Sequence, residues 1–62
     1  MPDNVQVLLG VLQSYAPNGD AQQACSELLW SAQREGLTVR EQVLMLVNTL
    51  HDGLSYGNWP WV

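Results

Sequence analysis

Residues 38–53 constrain the fold more than any other stretch, because they read as one helix with both ends punctuated. Thr38-Val39-Arg40-Glu41 has the Ser/Thr-x-x-Glu form of a capping box, and Gly53 stands where a glycine commonly stops a helix. At about 100° per residue, Val39, Val43, Leu46, Val47 and Leu50 share one stripe roughly 100° wide, as a core-facing helix requires. Leu44 and Met45 fall outside that stripe, on the side expected to meet water. The pattern predicts a helix over 39–52 that carries more apolar surface than one core contact uses.

Two further helices precede it. The first is predicted over 4–15, with Asp3 or Asn4 as N-cap. Its apolar residues Val5, Leu8, Leu9, Val11, Leu12 and Tyr15 span about 160°, and Val7 widens the arc. Such breadth suits a central helix or a dimer interface. Ala16-Pro17-Asn18-Gly19 then makes a turn. The second helix is predicted over 20–35, with Asp20 as N-cap, Gln23 at the reciprocal capping position and Gly36 as C′ residue. Ala21, Ala24, Cys25, Leu28, Leu29 and Ala32 form its core stripe, whereas Trp30 falls opposite them, among Gln23, Ser26 and Arg34. Short connections pack successive helices together, so residues 1–62 are read as a single all-α, compact three-helix domain. Residues 54–62, with Tyr56, Gly57, Trp59, Pro60 and Trp61, are read as an extended aromatic C-terminal tail that either folds back, laying Trp59 and Trp61 over Trp30 or over Leu44 and Met45, or reaches outward to a partner.

Size sharpens the problem. A chain of 62 residues buries only about 60 % of its unfolded surface and is marginal without a staple or a partner. Cys25 is the single cysteine and closes no internal disulfide. With His51 it falls short of the four ligands of a structural zinc site. Helix packing or self-association must supply the stability. Charge narrows the partners: Arg34 and Arg40 face six acidic residues, for a net charge of −4. Nucleic-acid affinity rests on neutralising phosphates with Lys and Arg, so DNA and RNA are disfavoured, as are anionic membrane surfaces. No apolar run approaches the roughly 18 residues that span a bilayer. The acidic, polar start lacks the positive charge of a signal peptide, and with the lone cysteine it predicts a cytoplasmic setting. The absence of Lys, Ile and Phe, all encoded by AT-rich codons, suggests a GC-rich genome.

Catalytic readings find little support. Cys25 lies on the predicted buried stripe, where a neutral thiol acts as a small hydrophobe, and His51 suits the last turn of a helix. Adjacent residues diverge by about 100° on a helix, so Asp52 is not expected to orient His51. Asp3, Asp20 and Glu41 are explained as helix-start carboxylates, and Glu27 and Glu35 as a solvated face. No phosphate loop, metal-ligand cluster or nucleophile elbow is present, so neither an enzyme nor a cofactor is expected. Ala32-x-x-x-Gly36-Leu37-Thr38 resembles the turn of helix-turn-helix proteins, which would imply a transcriptional regulator. Gln42 departs from that pattern at a position usually apolar, and Arg40 is the only cation of the would-be recognition helix. The reading that follows is a small acidic, non-catalytic protein–protein interaction module: an adaptor, inhibitor or accessory subunit. It would dock through Trp30, Leu44, Met45, Trp59 and Trp61, and a structural homodimer or higher homo-oligomer is a further alternative.

Overall fold

The computed structural model describes residues 3–61; Met1, Pro2 and Val62, the last residue of the tail, lie outside the described residues. The chain is an all-α, three-helix domain in which α1 spans Asn4–Tyr15, α2 spans Gly19–Arg34 and α3 spans Val39–Tyr56. Each start is fixed by a side chain satisfying an orphan backbone N–H. Asp3 Oδ1 accepts from Val5 N at 2.9 Å. For α2 the cap is Asn18, whose Oδ1 accepts from Ala21 N at 2.8 Å. Asp20 is therefore not the cap: Asn18 nucleates the helix earlier and leaves Asp20 in its first turn, where a carboxylate still meets the positive end of the helix dipole. At α3 the capping box is complete. Glu41 N donates to Thr38 Oγ1 at 3.2 Å, and Thr38 N donates to Glu41 Oε1 at 2.8 Å.

The ends obey the same accounting. After α2, Gly36 N donates to Gln33 O and Leu37 N to Ala32 O, the paired bonds of a Schellman turn, with Gly36 at φ 84°. Two glutamine clasps then hold the hairpins closed. Gln13 and Gln22 each donate to the other's carbonyl across the first turn. Gln42 is buried at the second turn, donating to Leu37 O at 2.8 Å and accepting from Gln33 Nε2 at 3.3 Å. Its amide is thus satisfied where an apolar side chain would leave the Leu37 carbonyl without this partner.

The C-terminal third departs from expectation. α3 does not stop at Gly53 but continues one turn to Tyr56 and ends at Gly57, whose left-handed φ of 67° suits a residue without Cβ. Gly53 is buried in mid-helix with the Trp59 ring against it. A Cβ there would sit 2.5 Å from Trp59 Cζ2 and 2.6 Å from Cδ2. Glycine is retained for that close approach, although it costs about 1 kcal/mol in a helix relative to alanine. The tail is correspondingly shorter: after Gly57 the chain turns back, and Trp59 enters the core beside Val5, Leu9, Leu12, Ala21, Cys25, Leu29 and Leu46.

Seating the indole on Gly53 also sets the roll of α3. Its buried line is Gln42, Leu46 and Gly53, rotated by about 60° from the expected stripe at 100° per residue. Only Leu46 is common to both. Val43 and Leu50 are half-buried against the core, while Val39 and Val47 are exposed. α2 follows its expected stripe, with Ala21, Ala24, Cys25, Leu29 and Ala32 buried and Leu28 half-buried. On α1, Val5, Leu9 and Leu12 are buried, and Val7, Val11 and Tyr15 are left outside.

Two outcomes are expected. Gly53→Ala should lower stability by about 1–3 kcal/mol, the range for overpacking, and red-shift tryptophan emission as Trp59 is displaced; unchanged emission and melting would contradict the contact. The hydrogen bonds from Thr38 lower the Glu41 carboxyl below its ordinary value near 4.5. A depressed carboxylate stabilises the fold above its unfolded pKa, and that contribution is lost as pH falls through the folded pKa, so it fades below about pH 4.5. Glu41→Gln should flatten this part of an acid titration followed by circular dichroism.

Candidate protein-interaction surface

The five residues singled out from the sequence do not form one site. Trp30 is 59 % exposed on the outer face of α2, as expected, with the Arg34 guanidinium carbon 4.9 Å from its ring centroid. That stacking holds a large apolar group in place while leaving much of it bare. Leu44 is 56 % exposed on α3. Met45, expected to face water, is instead half-buried against the core, because the roll of α3 turns it inward. Trp59 is 8 % exposed and belongs to the chain's own interior: the tail folds back, but the indole is seated over Gly53 and not over Trp30, Leu44 or Met45. Trp61 is 79 % exposed and borders an open depression of about 400 Å³ with Asp20, Gln23 and Glu27 of α2. Its positive φ of 62° is uncommon for a residue with a side chain.

The roll of α3 exposes a larger surface that the sequence pattern had assigned to the core. Val39, Val47 and Leu54 are about half exposed along α3, with Val43 and Leu50 partly covered between them. They recur at spacings of three and four, so they form one ridge. On α1, Val7, Val11 and Tyr15 form a second ridge at i, i+4, i+8, beside the half-buried Leu8. The glutamine clasps orient both. Gln13 marks the flank of α1 that faces α2, and the Val7–Tyr15 ridge lies on the other side of the buried stripe. Gln42, on the buried line of α3, reaches toward α2, and the Val43–Leu54 ridge lies about 100° around the helix from it. Both ridges therefore border the open side of the α1–α3 pair, away from α2. Exposed apolar groups clustered in this way are the informative exception on a small protein.

Charges are few along these ridges: Asp3 caps α1 four residues before Val7 and Arg40 lies beside Val47. α1 contains no Asp, Glu, Lys or Arg. On α3, Glu41 and Asp52 sit about 160–180° around the helix from the centre of the apolar ridge. Arg40 and His51 flank Leu44 at its outer edge. His51 Nδ1 lies 3.6 Å from Asp52 Oδ1 and its ring meets Tyr56 edge-on at 5.9 Å. The two neighbouring side chains thus approach one another despite their helical divergence, though both are exposed and the contact is long for a hydrogen bond. With α3 extended to Tyr56, His51 is also not in its last turn.

Cys25 is buried, and burial pushes its thiol up from the ordinary value. That is the opposite of what activates a nucleophile. It sits within the core cluster, while His51 is exposed. Among the described residues no group of three or more His, Cys, Asp or Glu is placed to hold a metal ion, and no described helix is long and apolar enough to cross a membrane. No protein-family model matches the chain, and no significant match to a curated protein or to a solved structure is found.

Proposed function

We propose that this protein is a small acidic, non-catalytic protein–protein interaction module that docks through apolar side chains its own core leaves uncovered, in a reducing cytoplasmic setting suited to a lone buried thiol. One observation carries the reading: α3 turns Gln42 and Gly53 inward and leaves Val39, Leu44, Val47 and Leu54 outside. Burying the exposed part of each such side chain would contribute on the order of 1 kcal/mol at about 25 cal/mol per Å². Trp30 and Trp61 supply two further anchors of the residue type most often dominant at interfaces. Met45 and Trp59 support the fold beneath this surface instead of touching a partner. The carboxylates on α2 favour approach by basic groups over nucleic acid or anionic lipid.

Trp30→Ser combined with Leu44→Ser tests the reading. Each site is more than half exposed, so circular dichroism should show the same helix content and a stability loss of no more than about 1 kcal/mol, since surface substitutions are typically worth about 0.5 kcal/mol each. The tagged chain, expressed in its native cells, should retain a protein partner or a second copy that the double variant loses. Normal association by a folded double variant would contradict the proposal.

A further inference from the structure

We infer that the depression between α2 and the end of the tail receives an arginine side chain of the docked protein, laid on the Trp61 indole within reach of the α2 carboxylates. The inference rests on the docking reading above and adds to it a second, chemically distinct contact. Asp20, Gln23 and Glu27 recur at spacings of three and four, so they stand in one line along α2. All three are exposed. Trp59, anchored over Gly53, carries Trp61 to this line two residues later. The four side chains border an open space of about 400 Å³, room for one long side chain and its charged head.

The lining selects the chemistry of the occupant. Two carboxylates, an amide and an indole face the space, and among the described residues no basic side chain borders it. Three and seven residues beyond Glu27, Trp30 and Arg34 show the same pairing within the chain, the guanidinium carbon 4.9 Å from the ring centroid. Trp61 presents its indole on the same face, beside carboxylates instead of a base. Arginine fits better than lysine: its plane can lie on the ring while donors on its edges address the Glu27 carboxylate and the Gln23 amide oxygen. Asp20 lies in the first turn of α2, where the helix dipole opposes a cation, but that opposition fades within a turn. Glu27 stands about two turns further along and is clear of it. The net charge of −4 adds attraction for a basic partner at longer range.

Titrating the isotope-labelled full chain with the peptide acetyl-Gly-Arg-Gly-amide at low salt, followed by NMR, tests the proposal. The Trp61 indole N–H and the backbone amides of Gln23 and Glu27 should shift together, with a millimolar dissociation constant, while the buried Trp59 indole N–H stays in place. The matching citrulline peptide, which keeps the shape and loses the charge, should bind roughly 5-fold more weakly or worse. Glu27→Gln and Trp61→Ala should each weaken the arginine peptide roughly 3-fold, the scale of an exposed ion pair or cation–π contact. Both positions are exposed, so circular dichroism should be unchanged. Equal binding of the two peptides, indifference to both variants, or no saturable shift at Trp61 would overturn the assignment. So would Trp61 shifts that follow the concentration of the chain alone, which would give the site to a second copy. These variants leave Trp30 and Leu44 untouched. Failure here with partner capture still lost in the Trp30→Ser, Leu44→Ser chain removes only the arginine site, whereas capture indifferent to that double variant removes the docking reading itself.

Discussion

The indole of Trp59 resting on the bare Cα of Gly53 is the contact on which the rest of the structure depends. A side chain at position 53 would overlap the ring, so glycine is the residue that lets the tail return to the core at this point. That return supplies the largest side chain of a small interior otherwise built from leucine, valine, alanine and cysteine. It also decides which line of α3 turns inward. With Gly53 facing the core, Leu46 and Gln42 follow on the same side, about two and three helical turns earlier. The valine-rich line is left at the margin. One close approach therefore links the stability of the domain to the surface it presents.

Much of the fold is legible in local chemistry. The Thr38–Glu41 capping box, the Schellman glycine after α2 and the apolar spacing of α1 and α2 each point to the element that forms, because caps and periodicity act within a few residues. The failures are non-local. Asp20 and Asn18 both have capping side chains, and only the path of the chain through the turn decides which one reaches Ala21 N. Gly53 carries an ordinary stop signal, and its role as a seat for Trp59 depends on a residue beyond the helix end. The apolar stripe of α3 is real as a pattern. Its burial is overridden by the indole and by the Gln42 clasp on Leu37 O. Trp30 is legible as exposed because its helix face is polar; the half-burial of Met45 depends on the roll of α3, and the sequence leaves open whether Trp59 folds back or reaches outward, which the path of the tail decides.

The surface divides its labour by chemistry. Carboxylates and tryptophans occupy the outer face of α2 and its junction with the tail, where Arg34 stacks on Trp30. Apolar side chains dominate the open side of α1 and α3. The thiol is buried and raised, and the imidazole stands apart from it in solvent.

The chemical shifts of the two Gly53 α-protons test the central claim most directly. An aromatic ring seated face-on over that carbon shields the nearer proton. At least one of them should therefore appear far upfield of the usual glycine range, with nuclear Overhauser contacts to the Trp59 ring. Ordinary shifts for both, with no contact to Trp59, would contradict the account and release α3 from the roll on which the exposed face depends.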